Sequence, residues 1–227
     1  MTIKLPVPLV ALVLTGIVNP AWSQSPAAAE EQLFDPVRIV PVLQEPRHRT
    51  VHAEGNLYLL DIQINPGDTT LPHTHDSAIL YTFISNGEGP LDGRVSSSTG
   101  YVHEPFTHRV TNPGPHLFRI IALANYGPAV TAATTSTVKV EPQLENEWFR
   151  SYRLELEPGQ SSASFMHTYP VAIVQVSDGV LHVSRADGIT TELKTMGDWA
   201  WRDAGTSYQI HNRSDKTVLV VINEAKR

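Results

Sequence analysis

The 227 residues hold 17 lysines and arginines against 23 aspartates and glutamates, a net charge of −6 with no basic run. Scattered charge of this sign argues against nucleic acid and anionic membrane surfaces as partners. Cysteine is absent, which excludes disulfides, thiolate metal sites and a thiol nucleophile together. The length is enough to bury the core of one domain or of two small ones.

The chain opens on Lys4 and an apolar run over residues 7–18, broken by Pro8, Thr15 and Gly16. Ala21-Trp22-Ser23 then places small residues at the −3 and −1 positions of a cleavage site before Gln24. The run is short for a membrane span. Residues 1–23 therefore read as a cleaved export signal and the mature protein as periplasmic or secreted, without stable membrane anchoring. Residues 24–37 form an Ala/Glu-rich lead-in.

Beyond residue 37 the pattern is β throughout. Short apolar–polar alternations mark strands, most clearly at 57–64, 116–123, 171–176 and 217–222. Asn86-Gly87, Pro113-Gly114, Pro158-Gly159, Asp178-Gly179 and Asp187-Gly188 separate them as turns. The expected fold class is all-β, a barrel or sandwich of short strands.

The chain also repeats. Asn56-Leu-Tyr-Leu-Leu-Asp-Ile-Gln-Ile-Asn-Pro66-Gly67 returns, 92 residues on, as Trp148-Phe-Arg-Ser-Tyr-Arg-Leu-Glu-Leu-Glu-Pro158-Gly159. The same shift carries His75 onto His167 and Gly87 onto Gly179, and a shift of 100 carries His108 onto Tyr208 and Asn112 onto Asn212. The second copy thus holds a longer connection. The implied division is an N-terminal barrel over 38–127, a linker rich in Ala, Thr, Val and Pro over 128–143, and a C-terminal barrel over 144–227.

His73 and His75 alternate on one strand, so both imidazoles point to the same side. His108, 33 residues after His75, is the third candidate ligand. Three neutral nitrogens leave positions open on a divalent ion, the layout of a reactive site rather than a closed structural one. Fe(II) is the favoured cofactor, and Mn, Zn, Cu and Ni remain compatible with imidazole ligation. In the second copy Phe165 and Tyr208 stand at two of the three equivalent positions, leaving His167 alone and that copy without a metal site.

Gly67, His73, His75 and Gly87, together with His108 and Asn112, resemble the two motifs of the cupin superfamily, as do Gly197, Asp198, Gly205 and Asn212 in the second copy. The resemblance spans about residues 38 to 224. It implies a bicupin: two tandem antiparallel jelly-roll barrels with any metal inside a barrel. One motif residue is missing, since the glutamate that follows the second histidine in cupins is replaced by Ile79 or Leu80. Loss of that carboxylate leaves the metal more electron-poor and a stronger Lewis acid. Three-histidine iron centres occur in cupin-like dioxygenases for thiols, β-diketones and aromatic acids. Cupin lyases that cleave dimethylsulfoniopropionate carry a tyrosine six residues after the second histidine, where Tyr81 stands here, although those lyases keep the glutamate. The resemblance thus implies a metal-dependent dioxygenase or lyase acting on a small polar substrate. A non-catalytic binding protein for a small molecule or metal is the alternative. Cupins often pair barrels edge to edge, which implies a homodimer.

Tyr81 is the candidate catalytic residue, as substrate binder or proton donor, against the plainer reading of a core tyrosine. Asp76 and Glu104 adjoin ligand candidates and read either as carboxylates orienting an imidazole or as exposed loop acids. His103 is an alternative ligand or base, or a rim residue. His52 and His116 read as surface or strand histidines, Asn112 as a turn-capping residue, and Trp199 with Trp201 as core residues sharing one face.

Overall fold

The structure, a computed structural model, describes residues 38–131 and 138–227. The expected export signal, the lead-in and the centre of the linker lie outside the described residues. Among the described residues no helix is long and apolar enough to cross a membrane.

The first half contains β1 (Val40–Pro41), β2 (His48–Glu54), β3 (Leu57–Ile64), β4 (His73–His75), β5 (Ala78–Asn86), β6 (Pro90–Ser98), β7 (Phe106–His108) and β8 (Phe118–Asn125). The second contains β9 (Leu144–Glu145), β10 (Phe149–Leu156), β11 (Val171–Gln175), β12 (Leu181–Arg185), β13 (Thr190–Leu193), β14 (Trp199–Arg202), β15 (Tyr208–Asn212) and β16 (Val218–Ala225). Each half is one five-stranded sheet facing one three-stranded sheet. The large sheets run β2-β3-β8-β5-β6 and β14-β11-β16-β10-β9, and the small ones β1-β4-β7 and β13-β12-β15. The fold is all-β. Pairing is antiparallel except for the short parallel contact of β1 with β4.

The sequence repeat is a structural repeat down to register. In the first half β3 pairs with β8 so that Leu57 opposes Asn125 and Ile64 opposes Phe118. In the second, β10 pairs with β16 so that Phe149 opposes Ala225 and Leu156 opposes Val218, each the counterpart of the first pair. Both central hairpin strands end in a Pro-Gly turn whose glycine, Gly67 or Gly159, lies in the left-handed region at φ +78° or +74°. The extra residues of the second copy build the β12–β13 hairpin around Asp187-Gly188. In the first copy the chain instead runs through β6 and a single 3-10 turn at Gly100–Val102.

Strand alternation sorts the apolar side chains into three cores. Leu60, Ile62, Ile64, Ile79, Ile120, Ala122 and Ala124 fill the interior of the first half. Val171, Ile173, Val218, Val220 and Ile222 do the same for the second. The odd-numbered partners Leu57, Leu59, Ile121 and Leu123 meet Ala172, Val174 and Val221 in a third core between the two large sheets. Polar contacts cross this junction. Asn223 Nδ2 donates to Thr82 Oγ1 at 2.7 Å. Arg119 pairs with Asp61 at 3.0 Å and donates to the Met196 carbonyl at 2.8 Å. Trp199 and Trp201 pack onto the same junction from one face, as their alternation implies.

Asn112 and Asn212 hold the two copies in the same way. Asn112 Nδ2 donates to the carbonyls of Ile64 and His116, and its Oδ1 accepts from Gly114 N. Asn212 repeats this with Leu156, Lys216 and Ser214. Each side chain is fully buried, so removing it strands three backbone groups. Asn112→Ala and Asn212→Ala are each expected to cost about 2–4 kcal/mol of unfolding free energy in urea titrations. Asn65→Ala, at an exposed turn, should shift the midpoint little.

Candidate metal centre

The small sheet of the first half carries all three expected ligands, two on β4 and one on β7. β4 is only His73-Thr-His75, with both histidines buried and Thr74 half-buried. It pairs antiparallel with β7, so that His73 opposes His108. The His75 and His108 Nε2 atoms come within 3.0 Å. Ring centroids of His108 lie 4.6 Å from His73 and 5.0 Å from His75.

A fourth histidine joins them that the motif reading missed. His48 on β2 opposes Ile62, so it faces the interior of the half. Its ring centroid is 4.4 Å from that of His73. One ring nitrogen from each of His48, His73 and His75 lies within 4.8 Å of the other two. His52, also even-numbered, would share that face on a regular strand. A one-residue bulge between Thr50 and His52 reverses the parity, so His52 opposes Leu59 and packs instead on Trp201 with ring centroids 4.4 Å apart.

The tautomers follow from the partners. His73 Nδ1 lies 2.8 Å from the Leu71 carbonyl, which can only accept, so Nδ1 carries the hydrogen and Nε2 keeps a lone pair. His48 Nδ1 lies 2.7 Å from Glu45 Oε2 on the same logic. Glu45 also accepts from Leu71 N at 3.1 Å and Arg47 N at 2.7 Å. One buried carboxylate thus orients His48 directly and His73 through Leu71. Burial pushes the Glu45 carboxyl up, but the bonds from His48, Leu71 and Arg47 outweigh it and hold the acid below its usual range.

His48, His75 and His108 are held neutral, the form that ligates. Burial brings His75 down to about 3, with His73, His108 and His48 adding like-charge repulsion. Burial brings His48 down to about 4 against the opposing pull of Glu45. Burial also lowers His108, with His73 next. The donor set fits a metal ion. His73 Nε2 and His75 Nδ1 are buried without a hydrogen-bond partner, an arrangement that costs free energy unless something satisfies it. Two neutral imidazole nitrogens 3.0 Å apart can likewise share one hydrogen or one cation.

His48, His75 and His108 border a cavity of about 300 Å³. Tyr81 lines it too, with Tyr101 and Phe106. Burial raises the Tyr81 phenol, Tyr101 raises it further through charge and a hydrogen bond, and Ser98 opposes, so the hydroxyl stays protonated at neutral pH. The remaining candidates lie elsewhere. Asp76 accepts from the Tyr126 hydroxyl at 2.9 Å. His103, Glu104 and His116 are exposed. In the second half Phe165 bridges Tyr208 at the place of the His73–His108 pair, and Val140 occupies the position 92 residues after His48. His167 Nε2 meets the Tyr208 hydroxyl at 2.9 Å and its Nδ1 lies 3.7 Å from Glu224.

No protein-family model and no curated protein matches the chain. Solved structures do. AerE from Microcystis aeruginosa aligns over 81% of this chain and 99% of its own at 12% identity and a TM-score of 0.57. A salicylate 1,2-dioxygenase from Pseudaminobacter salicylatoxidans aligns over 74% of this chain and 70% of its own at 10% identity and a TM-score of 0.52. A cupin 2 conserved barrel domain protein from Leptotrichia buccalis covers 78% of this chain and 88% of its own at 11% identity and a TM-score of 0.46. The chain thus shares its fold with AerE and with the salicylate 1,2-dioxygenase, and its group of His48, His73 and His75 could hold a metal ion.

Acid should destabilise the metal-free protein in a defined window. Above the ordinary histidine value of 6.5 folded and unfolded chains both keep His48 and His75 neutral. Below it the unfolded chain takes up protons that the folded chain refuses until about pH 4 for His48 and about 3 for His75, so stability falls as pH drops through that interval. Between pH 7.5 and 5 the Tm of metal-free wild type is expected to fall further than that of His48→Gln/His75→Gln. Equal slopes would contradict the buried-neutral assignment.

Proposed function

We propose that the chain is an exported metal-dependent enzyme whose N-terminal half, residues 38–127, holds one divalent ion on His73, His75 and His108, with His48 as a fourth imidazole. The carrying observation is the pair of buried, unpartnered nitrogens on His73 and His75 beside a third and fourth ring. Fe(II) is favoured, with Mn, Zn, Cu and Ni compatible with imidazole donors. When bound, the ion supplies Lewis-acid polarisation of a substrate oxygen or sulfur, or dioxygen chemistry, for a dioxygenase or lyase reaction.

The chain's own residues do the rest. Glu45 and the Leu71 carbonyl lock the ring orientations of His48 and His73. Tyr81, protonated and lining the cavity, donates a hydrogen bond to the substrate or a proton to a leaving group. The C-terminal half, residues 144–227, with Phe165 and Tyr208 in place of ligands, buttresses the first through the shared apolar junction. Export rests on the signal-like residues 1–23.

A second reading, a non-catalytic carrier of metal or small molecule, is favoured by the Tyr81 hydroxyl already bonding Tyr101 and Ser98. Elemental analysis and oxygen uptake separate the two. Wild type should hold close to one transition metal ion per chain, and His73→Ala or His75→Ala should lose it. Glu45→Gln should weaken metal affinity by about 10–100-fold. Metal with oxygen uptake or substrate cleavage, diminished in Tyr81→Phe, supports the enzyme. Metal without turnover across thiols, diketones and ring acids supports the carrier. Failure to bind any transition metal on reconstitution sinks both metal readings.

A further inference from the structure

The cavity beside the histidines has walls of a particular kind. Ile62, Ile64, Phe118 and Ile120 form its floor on the inner face of β3 and β8, and no lysine, arginine, aspartate or glutamate lines it. Its mouth is aromatic. Tyr101 and Phe106 stack in parallel, ring centroids 5.5 Å apart and planes 8° apart. Phe106 keeps 44% of its surface exposed while its ring sits 5.1 Å from that of His108. Tyr101 reaches inward to within 5.5 Å of His75. A continuous path of rings therefore leads from solvent to the histidine nitrogens.

These walls select against most small metabolites. A second charged group on a substrate would lie against Ile and Phe side chains with no counter-ion, at a desolvation cost of several kcal/mol. A sugar or other polyol would find few partners, because the wall hydroxyls are those of Tyr81, Tyr101 and Ser96, and Tyr81 and Tyr101 already bond one another. The volume is a further limit: an apolar cavity of about 150 Å³ accommodates one benzene. The space of about 300 Å³ thus takes one ring with a short substituent and is close to the lower end for ligand pockets.

We infer that the substrate is a flat, mostly apolar molecule of single-ring size, carrying one anionic or neutral oxygen donor that faces the histidines and a ring that lies between Tyr101, Phe106 and the Ile62–Ile120 floor. This specifies the ligand of the site proposed above and rests on that reading for the donor end only; the ring end depends on the aromatic mouth alone. Phe106 is then a specificity-determining residue. Its side chain contributes edge or face contact to the ring, while the donor end is handled by the histidine nitrogens.

Cobalt(II)-loaded protein titrated with benzoate, acetate and citrate, read by visible absorption and calorimetry, tests this with the carboxylate donor held constant. Benzoate is expected to bind about tenfold or more tighter than acetate, because the ring buries apolar surface that acetate lacks, and citrate no tighter than acetate. Phe106→Ala, at an exposed position where folding is not at risk, should erase most of the benzoate advantage over acetate measured in the same variant. Equal affinities for benzoate and acetate, or a preference for citrate, would overturn the inference while leaving the metal site standing. Saturation-transfer NMR of the metal-free protein with benzyl alcohol separates the opposite case. If cobalt fails to load but benzyl alcohol binds in a Phe106-dependent manner, the metal reading falls and the aromatic pocket stands. No binding of either aromatic probe overturns the pocket assignment.

Discussion

Each of the two large sheets is buried on both faces, and the architecture follows from that. Odd positions of β3 and β8, such as Leu57, Leu59, Ile121 and Leu123, turn outward from their own half and are covered only because β11 and β16 present Ala172, Val174 and Val221 against them. Even positions, Leu60, Ile62 and Ile120 among them, face inward and must be covered by the small sheet. Neither half has a polar outer face on its large sheet with which to stand alone in water. Association of the two halves is thereby as much a matter of burying apolar surface as is the folding of either. The Arg119 bond to the Met196 carbonyl and the Asn223–Thr82 bond cross between the halves and fix how they align.

That division of labour leaves the inner face of the first half free for chemistry. The small sheet needs only three-residue strands there, and the β4–β7 pairing puts His73 opposite His108. Glu45, buried and ionised, stands beside the histidine group. It places a negative charge next to the centre, through His48, without occupying a ligand position. The second half retains the scaffold and fills the same inner space with Phe165, Tyr208 and the Tyr208–His167 contact.

Much of this was legible in the residues. The strand at 57–64, the 92- and 100-residue shifts, the Pro-Gly turns and the paired asparagines all express local rules, periodicity and turn chemistry, that act over a few positions. His73 and His75 declared a common direction by their spacing. His48 did not, because its direction depends on the bulge that separates it from His52, and a bulge is decided by the partner strand rather than by the bulged segment. Glu45 was hidden for a similar reason: its partners Leu71 and His48 meet only once β1 has paired with β4. The longer connection in the second copy was visible as a change of offset. Its form, the β12–β13 hairpin with β14 taking the sheet edge that β6 takes in the first copy, needed the tertiary pairings.

In the proposed centre several imidazoles from different strands converge on one ion inside the first half. X-ray absorption of the metal-loaded protein measures that directly. The expected spectrum shows nitrogen and oxygen scatterers at about 2.0–2.2 Å, with the multiple scattering of at least three imidazole rings. A spectrum dominated by water and carboxylate oxygen, with one imidazole or none, would contradict it.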